Sequence, residues 1–179
     1  MDDYRTLNLT LISANGLTKA AKLHVYAVAS ISDSRAAITV QKFKTSVHKD
    51  GDSDPTWNFP MKFTVNEAAG LQNRLTLVVK IKVERMLVDK NLGEVRVPIK
   101  ELLQGVKPEG KTMQNVSYQV RGRDGEVKGV LKFSYKFGKK KLLVSVLDPV
   151  LLIGRGRCVE RVDILALVVG LEPVLLVGC

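Results

Sequence analysis

The sequence Asp54-Pro55-Thr56-Trp57-Asn58 joins a polar turn to the beginning of a strand-like run. Before it stands Leu23-His24-Val25-Tyr26-Ala27-Val28, and after it stands Leu92-Gly93-Glu94-Val95. Asp and Pro favour a turn, whereas the aromatic and β-branched residues on either side favour strands. These three stretches therefore predict β-strands that are connected by short polar loops.

Alternation of apolar and polar residues extends this pattern through most of the chain. Short strands separated by Gly, Pro, Asp and Asn predict an all-β fold, either an antiparallel sandwich or a barrel. One short helix is predicted over residues 97–103, because Pro98 stands near its start and Gly105 follows its end. The eight predicted strands are residues 7–11, 23–31, 39–44, 57–65, 74–83, 92–98, 115–121 and 128–137.

The chain has 179 residues and a formal net charge of +10. This length allows one well-buried domain and is too short for two ordinary ones. Most of the positive charge falls on residues 1–138, and Lys139-Lys140-Lys141 follows directly. A basic domain favours anionic partners such as phospholipid headgroups, nucleic acid or acidic proteins. The charge therefore selects a class of partner and nothing finer.

The histidines and cysteines do not form a catalytic pattern. His24 and His48 both lie in the first third of the chain without a nucleophile motif, so no enzyme is expected. Cys158 and Cys179 lie outside the predicted domain, and no disulfide framework is expected. No interleaved aromatic residues offer a stacking platform, which argues against nucleic acid. The acidic start Met1-Asp2-Asp3 does not resemble a secretory signal, and a cytoplasmic location is expected.

Residues 4–138 resemble a C2 domain, a small β-sandwich that docks on membranes. The run from Leu7 to Leu17 is similar to its first strand and first loop. Asp54–Asn58 is similar to its second loop, and Leu92–Val95 to the exit from its third loop. The residues within the strands are similar to those of small plant C2 proteins of the soybean cold-regulated type and of copine-associated plant C2 proteins. The resemblance implies an eight-stranded antiparallel C2 β-sandwich over residues 1–138.

The family has two topologies that are related by circular permutation. Gly129–Tyr135 resembles the strand whose position differs between them, and here it comes last. This implies the second, phospholipase-type topology. Residues 139–179 form a basic and then apolar tail, whose uncharged stretches are shorter than the about 20 residues of a membrane helix. The tail is interpreted as an interfacial segment, a segment packed on the sandwich or, preferably, a poorly ordered extension.

The resemblance also implies where a calcium site would lie. Calcium takes about 6–8 oxygen ligands, which C2 domains supply mainly as aspartates of the first and third loops. Those positions fall on His24, Lys82, Glu84 and Lys90 in this chain, with Asp89 next to the last. Ammonium groups at such positions repel a cation. We therefore expect no cofactor and disfavour calcium, with Glu84 and Asp89 as weak metal candidates.

A second cation hypothesis concerns the acidic segment at residues 50–54. Asp50, Asp52 and Asp54 have the spacing of the first three ligands of an EF-hand loop. Pro55 replaces the required glycine, however, and no flanking helices are predicted. The segment is therefore interpreted as a polar turn at the loop end of the sandwich, where its carboxylates bind a cation weakly at most. Trp57 is predicted to be a core or loop-base anchor.

The basic surface is the favoured binding site. Lys42 and Lys44 alternate with Gln41 and Phe43, so on a strand they share a face. Resemblance to phosphoinositide-binding C2 domains implies that Tyr26, Lys42 and Lys44 form a lipid-binding patch. An aromatic residue of that patch aligns with Ile81, so the family pattern is incomplete. A solvated lysine face without a ligand is an equally weighted interpretation.

The predicted function is that of a non-catalytic C2 adaptor. It would associate with anionic membranes, through phosphoinositide or phosphatidylserine headgroups, largely without calcium. The resemblance implies plant stress or defence signalling at the plasma membrane or endomembranes. Two alternatives stay open. One is a module that binds another signalling or membrane protein and meets lipid incidentally, and the other is a calcium-dependent membrane-binding C2 domain.

Overall fold

The strands of this protein build two antiparallel layers. The computed structural model describes residues 3–17, 23–35, 39–51, 53–105 and 112–142. Its elements are β1 (Asp3–Asn15), β2 (Leu23–Asp33), β3 (Thr39–Lys44), β4 (His48–Gly51), β5 (Thr56–Asn66), α1 (Glu67–Leu71), β6 (Leu75–Val83), β7 (Lys90–Pro98), α2 (Ile99–Gln104), β8 (Gln114–Arg121) and β9 (Val127–Leu142).

The strand order is β3-β2-β6-β7-β8-β9-β1-β5, and β4 pairs with β2. Strands β7 and β8 pair only between Glu94 and Arg121, which divides the path into two four-stranded layers. On the opposite side the Gln41 amide exchanges two hydrogen bonds, of 2.7 and 2.8 Å, with the backbone of Thr64. The Gln41 side chain thus connects β3 to β5 with a pair of hydrogen bonds like those that join two strands. The predicted antiparallel β-sandwich is confirmed.

The core lies between the two layers and follows the alternation of each strand. Residues of β1 that face inward are fully buried, and inward residues of β6 and β9 are buried in the same way. Phe43 of β3 meets Phe63 of β5 edge to face, with ring centroids 4.8 Å apart. The largest fully buried side chains are Phe63, Phe133, Leu7, Leu9, Leu11, Leu17, Leu77, Ile81, Ile99, Leu102, Leu131 and Val25.

Two short elements were not predicted. The described residues form nine strands rather than eight, because the four polar residues of β4 pair with β2 although they lack apolar alternation. Helix α1 follows β5 and is capped by Asn66, whose side chain accepts a hydrogen bond of 2.9 Å from the Ala69 N–H. The predicted helix near residues 97–103 is present as α2, between Pro98 and Gly105.

The last strand extends beyond the predicted domain boundary at residue 138. Strand β9 continues to Leu142, and Lys140 is in register with Arg5 of β1. The Lys140 ammonium forms an ion pair with the Glu67 carboxylate, with the two atoms 2.8 Å apart. The segment Lys139-Lys140-Lys141 is therefore part of the sandwich. Strand β9 lies beside β1, as either circularly permuted topology requires, so the second topology stays a prediction. The predicted tail beyond Leu142 lies outside the described residues.

Helices α1 and α2 are short and lie beside the strands. Neither of the helices in the described part of the chain is long and apolar enough to cross a membrane.

Gly93 allows the two layers to meet at the β7–β8 seam. A Cβ atom here would lie 2.9 Å from the Arg121 carbonyl oxygen and 2.7 Å from Cγ1 of Val120. We expect Gly93→Ala to lower the free energy of unfolding by about 1–3 kcal/mol, because the backbone cannot move away without distorting the seam. Urea unfolding followed by far-ultraviolet circular dichroism measures this change.

Gly138→Ala is the matched control for Gly93→Ala. Its added Cβ atom would lie 3.4 Å from Cβ of Thr6, which is ordinary contact. We expect a change of no more than about 0.5 kcal/mol for this variant. Equal losses in both variants would contradict a special role of Gly93 at the seam.

Candidate functional site

The outer face of the β3-β2-β6-β7 layer carries a set of basic side chains. Residues that pair directly across antiparallel strands lie on the same face of a sheet. Val28 of β2 pairs with Lys44 on one side and Lys80 on the other. In the row on one side of Val28, Ser30 pairs with Lys42 and Val78. In the row on the other side, Tyr26 pairs with Lys82. We call Lys42, Lys44, Lys80 and Lys82 the lysine face.

Apolar residues form the floor of the lysine face. Tyr26, Val28 and Val78 are only 4 %, 7 % and 5 % exposed, although they do not belong to the core between the layers. Lysines flank them on both neighbouring strands, and the aliphatic stems of lysine side chains can cover apolar surface while the ammonium groups stay in water. The Lys44 ammonium lies 4.0 Å from the centroid of the Tyr26 ring, which is cation–π geometry.

Two carboxylates near these lysines, those of Glu94 and Asp89, are bonded to other groups. Glu94 of β7 pairs with Lys80, and Arg96 of β7 pairs with Val78 in the next row. The Glu94 carboxylate bonds to the Arg96 guanidinium at 2.6 Å, so this acidic group is paired with an arginine. The ammonium groups of the lysine face are therefore available to an anionic surface.

The loop between β6 and β7 places apolar side chains in water next to the lysine face. Met86 is fully exposed, and Leu87 and Val88 are 97 % and 77 % exposed. We call Met86-Leu87-Val88 the apolar tip. Exposed Arg85 and Lys90 flank it. Single exposed apolar residues are common on proteins, whereas three in a row are typical of a surface that binds a membrane or a partner.

The base of this loop is bonded to Tyr26. The Tyr26 hydroxyl donates a hydrogen bond to Oδ2 of Asp89, and the Arg85 N–H donates to Oδ1 at 3.1 Å. These two bonds hold the pKa of the Asp89 carboxyl below its usual range. Burial and the bond to Asp89 raise the pKa of Tyr26 to about 12. The pair is thus a neutral tyrosine and a carboxylate at neutral pH.

The side chains at the positions that were compared with calcium ligands do not come together as a cation site. His24, Glu84 and Lys90 are exposed, Lys82 belongs to the lysine face, and Asp89 is bonded to Tyr26. Among the described residues no three His, Cys, Asp or Glu side chains are grouped as a metal site would require. Weak cation binding at Glu84 and Asp89 stays a prediction.

In the acidic turn before β5, Asp54 forms a hydrogen bond that connects two loops. Oδ1 of Asp54 accepts a hydrogen bond of 2.6 Å from the Gly16 N–H, which joins the turn to the loop after β1. The backbone adds a bond of 3.0 Å from the Leu17 N–H to the Ser53 carbonyl. Asp50 lies in β4, and Asp52 lies outside the described residues.

Trp57 lies where it was predicted, at the start of β5 and largely buried, with 9 % of its surface exposed. Its indole N–H donates a hydrogen bond of 3.3 Å to the Val25 carbonyl of β2. Because β5 and β2 belong to different layers, Trp57 connects the two sheets close to Tyr26. It is an anchor of the sandwich rather than part of an exposed binding surface.

Tyr26, Lys42 and Lys44 are brought together as the sequence predicts, but Ile81 is not part of their surface. Ile81 is fully buried and pairs with Ala27 on the inner face. The neighbouring lysines of β6, Lys80 and Lys82, occupy the outer face instead. The sequence comparison assigned Lys82 to the third loop and did not consider Lys80, although both lysines alternate with buried Ile81 on β6. The run of three apolar residues at 86–88 is the sequence signal that indicates the apolar tip.

Comparisons with known proteins agree with this architecture. The family model described as C2 domain matches residues 5–114. Protein SRC2 of soybean is 43% identical over 140 residues, which are 76% of this chain and 47% of that protein. BON1-associated protein 2 of Arabidopsis thaliana is 27% identical over 135 residues, which are 73% of this chain and 60% of that protein. The chain thus spans about half the length of the soybean relative.

A solved structure supports the fold. A C2 domain of plant extended synaptotagmin 1 superposes with a TM-score of 0.58 at 15% identity, covering 74% of this chain and 92% of that domain. At this identity the likeness concerns the fold alone. The predicted resemblance to small plant C2 proteins is confirmed by the family model and the relatives. On these matches and on its two-layered strand order, this chain belongs to the C2 domain family.

Proposed function

We propose that this C2 domain binds anionic membranes peripherally and without catalysis, largely independently of calcium. The observation that carries the proposal is the position of the apolar tip directly beside the lysine face. Lys44 and Lys82 adjoin Tyr26, and Tyr26 is bonded to the base of the loop that bears the tip. The basic and the apolar surface therefore lie side by side and can contact a membrane together.

The two parts contribute different terms to membrane binding. Each basic residue near an anionic bilayer contributes roughly 1 kcal/mol, and this attraction falls off within a Debye length. An apolar side chain that leaves water contributes about 1.5–3 kcal/mol when it is fully buried. Lysines alone would give weak, salt-sensitive binding, and insertion of Leu87 and its neighbours would add a term that salt does not screen. Together the two terms suit a reversible peripheral protein.

The proposed independence of calcium follows from the groups around the loop between β6 and β7, which corresponds to the third loop of a C2 domain. The ammonium groups of Lys44 and Lys82 already supply positive charge where a calcium-dependent domain needs the ion, and both lower the pKa of Asp89. A cation brought to this place would meet like charge at close range. We expect the domain to act in the cytoplasm, on the plasma membrane or endomembranes, and the assignment to plant stress or defence signalling stays a prediction.

A second candidate function is binding to another protein. It is favoured by the relative named BON1-associated protein 2, whose name describes an association with a protein. The apolar tip would then contact a partner protein in place of lipid. Sedimentation with vesicles distinguishes the two functions, because a pure protein-binding module stays in the supernatant.

The test compares vesicles of phosphatidylcholine alone with vesicles that also contain phosphatidylserine, each with calcium or with a chelator. We expect the wild-type protein to sediment with the anionic vesicles under both conditions. We expect Leu87→Ser to lower the affinity about tenfold, because the tip loses about 1.4 kcal/mol of apolar transfer. Leu71→Ser is the control, since Leu71 is a half-exposed leucine on α1. Binding that disappears with the chelator, or an equal loss in both variants, would contradict the proposal.

A further inference from the structure

The connection between Tyr26 and Asp89 joins residues that are 63 positions apart in the chain. Tyr26 lies in the middle strand of the lysine face, and Asp89 ends the loop that carries the apolar tip. Both carboxylate oxygens of Asp89 accept a hydrogen bond, one from the Tyr26 hydroxyl and one from the Arg85 N–H. The bonds close the loop on itself, because Arg85 precedes the tip and Asp89 follows it.

The other end of the loop is bonded to the same strand. The Glu84 N–H donates a hydrogen bond of 2.8 Å to the His24 carbonyl of β2. The loop is therefore attached to β2 before the tip through Glu84 and after the tip through Asp89. The three residues between these attachments, Met86, Leu87 and Val88, project into water.

We propose that Tyr26 is a positioning residue whose hydroxyl, bonded to Asp89, holds the loop so that the apolar tip projects toward a membrane. The inference rests on the proposed membrane function and adds the reason why the loop needs no ion. A carboxylate that already accepts two hydrogen bonds has less capacity left to serve as a cation ligand. The lipid-contacting role that family resemblance implied for Tyr26 stays a prediction.

The groups around Tyr26 support this role. The residue is only 4 % exposed, and the hydrogen bond from its hydroxyl to Asp89 is partly buried. The Lys44 ammonium lies over one face of its ring, 4.0 Å from the centroid. Lys82 pairs with it on the adjacent strand, and the Lys44 and Lys82 charges both favour the ionised form of Asp89. An ordered loop binds more tightly because less conformational freedom is lost on binding.

The test uses Tyr26→Phe, which removes the hydroxyl and keeps the ring under Lys44. Tyr118→Phe is the matched control, because its hydroxyl bonds to Glu101 at 2.7 Å and not to this loop. Hydrogen–deuterium exchange of residues 84–89 is measured in both variants without lipid. We expect about tenfold faster exchange in Tyr26→Phe, as expected when a hydrogen bond to a charged group is lost, and no change in Tyr118→Phe. Asp89→Asn gives a second variant with the same expected direction.

Vesicle binding in chelator gives the functional readout. We expect Tyr26→Phe to bind anionic vesicles about fivefold to tenfold more weakly, with an unchanged dependence on salt because no charge is altered. Unchanged exchange of residues 84–89 in both Tyr26→Phe and Asp89→Asn would overturn the positioning role. Faster exchange in these variants, together with a wild-type protein that binds no vesicles, would retain that role and overturn the membrane function. The two failures are therefore distinguishable.

Discussion

Replacing all four lysines of the lysine face with alanine is expected to lower affinity for anionic vesicles by about a thousandfold. Each lysine near an anionic surface contributes roughly 1 kcal/mol, so four contribute about 4 kcal/mol. The lysines act together because two strands bring them to either side of β2. Sedimentation with vesicles that contain phosphatidylserine, at several salt concentrations, measures the loss and the expected weaker salt dependence.

The control for this variant removes the same charge elsewhere. The residues to be replaced by alanine are four lysines outside the lysine face, Lys62, Lys100, Lys132 and Lys136. We expect this control to lose at most a few-fold in affinity, because only long-range attraction is reduced. Equal losses in the two quadruple variants would show that net charge, rather than the lysine face, governs binding. The circular dichroism spectrum and the unfolding midpoint check that both variants are folded.

Trp57→Ala is expected to lower the free energy of unfolding by about 3–5 kcal/mol. Loss of a buried aromatic side chain usually costs this much, since the lost transfer free energy is joined by the cost of a cavity. The indole N–H also bonds to the Val25 carbonyl, which loses this partner. Domains of this size are stable by about 5–15 kcal/mol, so the variant is expected to be marginally folded.

Trp57→Phe is the matched control for Trp57→Ala. It retains most of the aromatic surface and loses the hydrogen bond to Val25, so a smaller loss of about 1–2 kcal/mol is expected. Because the chain has one tryptophan, urea unfolding is followed by far-ultraviolet circular dichroism rather than fluorescence. A loss below about 1 kcal/mol in Trp57→Ala would contradict the role of this side chain as a connection between the layers.

Most of the sandwich could be predicted because its strands carry their own signals. In β3 the alternation of Phe43 with Lys42 and Lys44 indicates which face is buried, since side chains have a period of two along a strand. Pro98 and Gly105 likewise indicate the start and end of α2. Strand β4 and helix α1 are too short to show such a period. Strand β4 forms because β2 offers it a backbone partner, and the Asn66 side chain caps the start of α1.

The pairing register between β6 and β2 could not be predicted from the sequence of β6. Val78 and Val79 are both apolar, yet Val79 faces the core and Val78 the lysine face. A shift of one residue exchanges the two faces of a strand, which is why the expected aromatic position fell on buried Ile81 instead of its lysine neighbours. Pairing with β2 decides the register, because Ala27 and Ala29 leave room for Ile81 and Val79 in the core.

The amino-acid sequence was sufficient for the class of fold, the approximate strands, the basic character of the domain and the shared face of Lys42 and Lys44, whereas Tyr26 was joined to them only by family resemblance. These properties depend on local alternation, turn residues and net charge. Tertiary structure alone placed Lys80 and Lys82 across β2 from the other lysines and joined Tyr26 to Asp89. The physical reason is that both arrangements depend on strand pairing between distant segments, and the residues themselves carry no local signal of their partners. The turn at Asp54 thus helps to predict the sandwich, whereas the contacts made by β2 define its candidate site.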